Sequence, residues 1–343
     1  MVAQLPCGAM VDAARSKRLM VGLAIGAIMV SALLLALLPQ RLPVYAAEIL
    51  HGLASCVLVP AIAALSLAAA GATGMAFGMR LGRNARFASV GSGLAAALMG
   101  AVGYYVSEQA VFLLAAGLAA PALLALRLIR EQPVSASAKA ASHPSFAGAL
   151  TDRRLVVFAM CCAGFHLANA GMFPLAAVEV TRRAGSLGPL VIAACIVVPQ
   201  LIVAVISPWV GRVAEQWGRR PILLAGFAAL PLRGVLFALV SDPKTVVAVQ
   251  ALDGLSAAVF GVMLPMVVAD ITGRTGRFNL SMGAVGLAIG AGAAVSTELA
   301  GLVADAYGVR AAYLVLAAAG GVAFLLLLFV LPDTRPAKPP AAG

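Results

Sequence analysis

Long apolar runs, separated by short basic segments, constrain this chain more than any other feature. A helix needs about 20 apolar residues to cross the hydrocarbon core of a bilayer, and ten runs reach or approach that length. Composition agrees, because 62% of residues are hydrophobic and only 11% are charged, far outside the averages of soluble proteins. The sequence therefore predicts an all-α polytopic membrane protein. The predicted spans are residues 19–39, 44–70, 87–106, 110–128, 155–180, 188–209, 221–240, 244–270, 280–304 and 311–331.

The positive charge of the chain is distributed as a membrane topology requires. The net charge is +11, which alone would also fit a nucleic-acid-binding protein. With residues 12–18 assigned to the cytoplasm, however, 18 of the 24 Lys and Arg residues fall in cytoplasmic segments and five on the opposite side. Cytoplasmic loops carry such an excess of basic residues. We therefore expect a lipid bilayer and no nucleic acid as partner.

A short basic turn between two apolar runs contains Gly211, Glu215, Gly218, Arg219 and Arg220. The two glycines allow close backbone approach and tight dihedral angles. A chain that leaves the membrane, turns in water and enters again needs both. The arginines are expected to stay in water or against lipid phosphates.

The same pattern of glycine, acid and basic cluster occurs near the start of the chain, 203 residues earlier. It consists of Gly8, Asp12, Arg15, Lys17 and Arg18. Two further echoes follow in the same order: residues 50–53 match 252–255 at an offset of 202, and residues 82–87 match 273–278 at an offset of 191. Echoes in one order predict two related halves.

These boundaries divide the chain into four segments. Residues 1–128 form an incomplete N-terminal bundle and residues 154–332 a C-terminal bundle of six helices. The polar segment 129–153 is interpreted as a cytoplasmic linker, and the Pro-rich segment 333–343 as a disordered cytoplasmic tail. The five cysteines lie in apolar runs without metal-ligand spacing, so we expect them to pack as small apolar residues.

The sequence resembles transporters of the major facilitator superfamily, and bacterial drug-efflux members in particular. The resemblance rests on the two glycine–acid–basic loops and on the run from Phe165-His166 to the segment of Asp253-Gly254. It implies two pseudo-symmetric six-helix bundles, residence in the bacterial inner membrane, and a cavity lined by helices one, four, seven and ten. About 11 of the 12 helices would be present, because the 203-residue offset places the first helix and most of the second before Met1.

For the loop acids Asp12 and Glu215, the resemblance implies a conformational latch with nearby basic residues and helix ends. Carboxylates are favoured at helix N-termini and by paired arginines. Topology and helix capping alone remain the alternative.

Charged residues inside spans are the first candidates for substrate or proton contact, because an ionisable group in hydrocarbon is costly. Arg233 and Asp253 lie on consecutive antiparallel spans at comparable depth. We expect them to pair or to share a polar network. A coupling role and a purely structural ion pair are both open, and the resemblance favours Asp253 because it lies on a cavity helix.

Other candidates lie on the helices that the resemblance assigns to the cavity. Glu48 and His51 are three residues apart and share a helix face, with a solvated rim as the alternative. His166, Asn169 and Phe173 form a stripe on the seventh helix, which Gln200 of the eighth could join. Hydrogen bonding between helices is the alternative for these residues.

The sequence therefore predicts a secondary active transporter of a small hydrophobic or amphipathic molecule, with proton-coupled efflux by alternating access. No nucleotide-binding loop, metal-ligand spacing or catalytic nucleophile is visible, so we expect no cofactor, no metal and no enzyme activity. The alternative is a non-transporting or degenerate membrane protein on the same scaffold, a remnant or a sensor. It is motivated by the missing first helix and by Glu48, where many antiporters of the family carry arginine.

Overall fold

The computed structural model describes residues 4–73, 77–129, 152–184, 188–273 and 277–334. Every regular element in these ranges is an α-helix. In chain order the helices are α1 (Gln4–Ala13), α2 (Lys17–Leu37), α3 (Arg41–Thr73), α4 (Phe77–Tyr105), α5 (Glu108–Leu128), α6 (Arg153–Asn169), α7 (Met172–Ala184), α8 (Gly188–Trp217), α9 (Arg219–Leu239), α10 (Pro243–Val249), α11 (Ala251–Thr272), α12 (Phe278–Tyr307) and α13 (Val309–Val330).

Ten segments of these described ranges are long and apolar enough to cross a membrane, one for each predicted span. Two predicted spans are interrupted. The span 155–180 is divided into α6 and α7 at Ala170 and Gly171, and the span 244–270 into α10 and α11 at Gln250. Both are still single segments long enough to cross a membrane, as predicted, but each contains an interruption that the span assignment did not include.

The two halves repeat helix by helix. Helices α2, α3, α4 and α5 begin at residues 17, 41, 77 and 108, and their counterparts α9, α10, α12 and α13 begin at residues 219, 243, 278 and 309. The offset is 202 residues for the first two pairs and 201 for the others, which confirms the predicted pseudo-symmetry. The echo at offset 191 is not an equivalence, because Gly82 lies inside α4 whereas Gly273 ends α11.

Local capping explains where several helices begin. Ser16 accepts a hydrogen bond from Leu19 N, and Ser107 accepts one from Ala110 N, each at 3.1 Å. Both satisfy an amide that a helix N-terminus leaves free. Asp242 caps α10 in the same way, and the backbone N–H of Thr245 lowers the pKa of its carboxyl group.

The predicted turn at residues 208–221 is mostly helical. Helix α8 continues to Trp217, and α9 begins at Arg219, so one residue separates them. Gly218 makes the turn with φ +100°, a conformation that costs a residue with a Cβ. The other glycine, Gly211, lies inside α8. We call the end of the bundle at which α1 meets α2 and α8 meets α9 the signature-loop end.

Most of the buried core belongs to the second half and to the signature-loop end. A large cluster joins α6, α8, α9, α11, α12 and α13, and includes Phe158, Phe227 and Met263. A second cluster around Met172, Phe237 and Tyr313 fills the opposite end of the same half. Burial there holds the second half together around the charged residues described next.

Candidate functional site

An ion pair between α9 and α11 lies in the interior of the second half. Arg233 is 1% exposed, and its guanidinium NH1 donates to Oδ1 of Asp253. The Asp253 side chain is 28% exposed, so the carboxylate is accessible whereas the guanidinium is not. The pairing expected from the depth of the two residues is confirmed.

The Arg233–Asp253 pair lies beside two interruptions, one between α6 and α7 and one between α10 and α11. Asp253 is in the first turn of α11, just after the break at Gln250. The guanidinium NH2 of Arg233 also donates to the backbone carbonyl of Asn169, 3.4 Å away, at the end of α6. A helix end leaves carbonyl groups without partners in the helix. The break after α6 therefore supplies an acceptor to the buried cation.

The break between α6 and α7 is itself held by a hydrogen bond. Gly171 N donates to Oγ of Ser296 on α12 at 2.9 Å, and Ser296 is fully buried. A Cβ at Gly171 would meet the Ser296 carbonyl oxygen at 2.9 Å. Glycine is thus needed for α6 and α7 to approach α12 this closely.

Aromatic side chains surround His166, one turn before the break. Its ring centroid lies 5.4 Å from that of Phe165 and 5.0 Å from that of Phe260, while Phe165 and Phe260 stack at 4.5 Å. Within the described part of the chain, the buried His166 Nε2 and Asn169 Oδ1 atoms have no hydrogen-bond partner. Both atoms are buried in this arrangement, so they become available to a ligand or to water only if the packing around them changes.

The remaining cavity candidates do not join the ion pair. Gln200 packs toward the first half, with its Cβ 3.7 Å from the position that a Cβ at Gly93 would take. Phe173 belongs to the cluster at the opposite end, since the break removes it from the stripe of His166. Glu48 and His51 are exposed on α3, and their role stays a prediction.

A second charged network lies at the signature-loop end. Arg219, 5% exposed, donates from Nε to Asp270 Oδ2 at 2.7 Å and from NH2 to Oδ1 at 3.3 Å. This two-pronged geometry suits a guanidinium and a carboxylate. Arg219 NH1 also reaches Glu215 Oε2 at 3.4 Å. We call Glu215, Arg219 and Asp270 the loop-end network.

The loop-end network extends to the first half. Gly78 N, in the first turn of α4, donates to Oε1 of Glu215 at 3.0 Å. A carboxylate at a helix N-terminus meets free amides and the positive end of the helix dipole. Glu215 thus contacts both a basic residue and a helix end, which is the geometry that the resemblance implied for it.

Helices α4 and α8 pack closely beside this contact. A Cβ at Gly211 would lie 2.8 Å from the Gly78 carbonyl carbon and closer still to its oxygen. Further along, a Cβ at Gly82 would lie 2.9 Å from Pro208 Cα, and Arg86 Nε donates to Ala204 O at 3.0 Å. The two halves are therefore in backbone contact at the signature-loop end.

The first copy of the loop shares the close approach of the second. A Cβ at Gly8 would lie 2.5 Å from the carbonyl oxygen of Asn279, the second residue of α12, just as Gly211 faces the second residue of α4. Lys17 donates to Ala14 O at 2.9 Å, and Arg18 to Ile129 O at 3.2 Å. Arg15 is exposed. The Asp12 side chain lies outside the described residues.

Two further residues fix the turn of the second copy. Arg219 N donates to Asp333 Oδ1 at 3.1 Å, and Arg220 NH2 donates to the Leu328 carbonyl. The turn at Gly218 is thereby tied to the end of α13 and the residues after it. Most of the predicted linker and residues 335–343 of the predicted tail lie outside the described part of the chain.

The comparisons identify the family. The Major Facilitator Superfamily model matches residues 161–343. An uncharacterized MFS-type transporter of Mycobacterium tuberculosis, found in two strains, is 38% identical over 346 residues, which is 97% of this chain and 82% of the relative. The chain belongs to the major facilitator superfamily.

Solved transporters of the superfamily share the fold. The Escherichia coli fucose:proton symporter aligns with a TM-score of 0.75 at 13% identity, covering 96% of this chain and 87% of the symporter. The human organic anion transporter aligns with a TM-score of 0.71 at 16% identity, covering 95% and 80%. The tetracycline resistance protein of class E from Escherichia coli is 30% identical over 134 residues, 39% of this chain and 32% of that protein.

Family and fold point to an integral membrane transporter and not to an enzyme. For this transporter, sequence reasoning missed two polar partners: Asp270 of the loop-end network, and the buried Ser296 at the α6–α7 break. Asp270 had a signal, since it is a lone acid at the end of a long apolar run. Ser296 had none, because serine is common in membrane helices, where it forms hydrogen bonds between helices.

Proposed function

We propose that this transporter is a proton-coupled exporter of small hydrophobic or amphipathic molecules, working by alternating access of its two halves. The observation that carries the proposal is the Arg233–Asp253 pair between two interrupted helices. Broken helices near mid-membrane typically form the substrate and ion sites of secondary transporters. Asp253 is the proposed proton acceptor.

Protonation of Asp253 changes the energy of its partner. The neutral acid leaves the guanidinium of Arg233 buried without a counter-ion; among the described residues it keeps the Asn169 carbonyl as an acceptor and the Phe237 ring 5.7 Å away. A buried charge that loses its counter-ion costs several kcal/mol, on the order of 3–5. Any arrangement that hydrates Arg233 or gives it another acceptor is then favoured. A proton thereby biases the equilibrium between conformations.

The contact of α4 with α8 supplies the gate in this proposal. The positive-inside bias assigns the signature-loop end to the cytoplasm, where the Glu215–Gly78 hydrogen bond and the glycine contact hold the halves together. Substrate from the cytoplasm can enter only after they separate. The described arrangement is therefore the one closed on the cytoplasmic side.

The proposed substrate class follows from the side chains near the pair. Phe260 and His166 are partly exposed and pack edge to face, with the buried Phe165 stacked behind them. A mostly aromatic surface with few polar groups suits an apolar or amphipathic ligand. The local similarity to a tetracycline resistance protein supports a drug-like substrate.

Proton flux in proteoliposomes tests the proposal. A panel of lipophilic cations and neutral drugs is applied to wild type, Asp253→Asn and the matched control Asp305→Asn, which changes an exposed carboxylate of α12. We expect substrate-dependent proton movement in wild type and Asp305→Asn, and only background in Asp253→Asn.

Proton movement at the wild-type rate in Asp253→Asn would contradict this site of coupling. Substrate movement without protons in all three proteins would contradict coupling itself. If folded wild type moves neither protons nor substrates, the alternative of a non-transporting protein on this scaffold is favoured instead.

A further inference from the structure

A basic pocket of about 400 Å³ lies at the signature-loop end of the second half, away from the Arg233–Asp253 pair. It is formed by the first turn of α6, the start of α9 and the end of α13. It is lined by Arg153, Arg154, Val157, Arg220, Phe329, Val330, Leu331 and Pro332.

The pocket opens on the outer surface of the bundle. Phe329 is 79% and Val330 42% exposed, whereas Leu331 is buried and forms the inner wall. Phe329 and Val330 are the last residues of the long apolar run of α13. A ligand in the pocket would therefore touch arginines on one side and the hydrocarbon edge of the bilayer on the other.

The pocket carries more positive than negative charge among the described residues. Arg153 and Arg154 are exposed and form no ion pair there. Two acids lie beside the pocket, and both accept backbone hydrogen bonds. Asp152 accepts from the Arg154 and Leu155 amides, and Asp333, next to the lining residue Pro332, accepts from the Arg219 amide. Three guanidinium groups thus outnumber two carboxylates.

Arg220 is held so that part of its guanidinium stays available. Its NH2 donates to the Leu328 carbonyl, while its buried Nε has no acceptor among the described residues. The Arg220 side chain is partly exposed and lines the pocket, so its guanidinium can donate to an oxygen atom there.

We infer that the pocket binds the headgroup of an anionic phospholipid from the adjacent leaflet. The phosphate oxygens accept from Arg153, Arg154 and Arg220, and the start of an acyl chain lies along Phe329 and Val330. Guanidinium groups match phosphate geometry, and basic pockets between membrane helices suit anionic headgroups. Free phosphate could also bind the three arginines, but it has no acyl chain to contact Phe329 and Val330.

Fluorescence quenching tests the inference at the pocket itself. In full-length protein with Trp209→Phe and Trp217→Phe, the substitution Phe329→Trp places the single tryptophan in the pocket. Brominated phosphatidylglycerol and brominated phosphatidylcholine are titrated in detergent. We expect quenching at a mole fraction of phosphatidylglycerol that is lower by about thirtyfold or more, since each basic contact adds about fivefold to anionic-lipid attraction.

Removing arginine charges distinguishes lipid binding in this pocket from general attraction between a basic protein and anionic lipid. Arg153→Gln with Arg154→Gln should raise the phosphatidylglycerol midpoint by about thirtyfold. The matched pair Arg182→Gln with Arg212→Gln removes two exposed charges elsewhere and should leave the midpoint unchanged. Equal quenching by both lipids, or equal weakening by both pairs, would overturn the inference. Displacement of the lipid by millimolar inorganic phosphate would assign the pocket to a free anion instead.

Discussion

Replacing Gly211 by alanine should open the contact between the halves without disturbing α8 itself. The new Cβ would lie 2.8 Å from the Gly78 carbonyl carbon and 3.3 Å from Met79 N, whereas ordinary contacts begin at 3.4 Å. Both neighbours are backbone atoms of α4, so no rotamer change relieves the clash. The two helices must separate by at least about 0.6 Å, which a close-packed interface does not absorb without loss of contacts.

The clash raises the free energy of the closed arrangement only, because α4 and α8 are apart in the open one. Overpacking of this kind costs about 1–3 kcal/mol, which corresponds to about a 5- to 150-fold shift between closed and open populations. Alanine is also a better helix former than glycine by about 1 kcal/mol. That gain stabilises α8 in both arrangements and cancels. Gly211→Ala should therefore shift the equilibrium toward opening at the signature-loop end.

Accessibility of Ser207 measures the shift. Ser207 is fully buried on α8 beside Gly82 of α4. With the five native cysteines replaced, a Ser207→Cys thiol should react slowly with a membrane-impermeant thiol reagent, and about 5- to 150-fold faster after Gly211→Ala. Gly261→Ala is the matched control, since no atom lies within 4 Å of its Cβ position. An unchanged rate in Gly211→Ala would refute the assignment of this contact as the closure.

Two stability predictions follow from other buried contacts. Asp270→Asn leaves the buried cation of Arg219 with the longer bond to Glu215 as its ion pair and with the Ala214 carbonyl as a neutral acceptor. It should cost about 3–5 kcal/mol of unfolding free energy, against less than about 1 kcal/mol for Glu179→Gln in an exposed pair. Similar losses in denaturant titrations would contradict this ranking. Ser296→Ala removes the acceptor of a buried amide at the α6–α7 break and should cost about 1–2 kcal/mol, while the exposed Thr297→Ala should change little. A smaller loss for Ser296→Ala than for Thr297→Ala would show that the break does not depend on this bond.

The fold was predictable because a membrane helix requires a long run of apolar residues, which is visible in the sequence. The lengths of these runs located ten spans, and the loop pattern that occurs at Gly8 and again at Gly211 located the two halves. Depth along antiparallel helices sufficed to pair Arg233 with Asp253, since few ionisable groups lie inside spans and each needs a partner.

The breaks and the contact between halves were not predictable in the same way. The run around Gly171 carries one local signal, since Pro174 has no N–H to donate to the Ala170 carbonyl four residues earlier. What holds the interruption is not visible locally, because the bond to Gly171 comes from Ser296, which is 125 residues away in sequence. Likewise, nothing in the sequence around Gly78 indicates a contact with the other half, yet its amide donates a hydrogen bond to Glu215. Both are tertiary contacts, which override local helix preference.

Two ion pairs connect α9 and α11 at widely separated points. Arg219 bonds to Asp270 near the signature-loop end, and Arg233 bonds to Asp253 near the breaks. At 1.5 Å per residue the two points are about 21 Å apart along α9 and about 25 Å along α11. The two helices are thus held as a unit, and loss of one pair leaves the other to act as a pivot.

The first half has no such pair at the equivalent positions. By the 202-residue offset, Arg233 corresponds to Ser31 and Asp253 to His51. Ser31 Oγ donates to the Ala47 carbonyl at 2.9 Å, and His51 is exposed. A neutral serine hydrogen bond does not respond to a proton, whereas the pair in the second half does. The proton-sensitive ion pair should therefore lie in the second half, with α9 and α11 moving against a first half that contacts the second at α8 and, through Gly8, at α12.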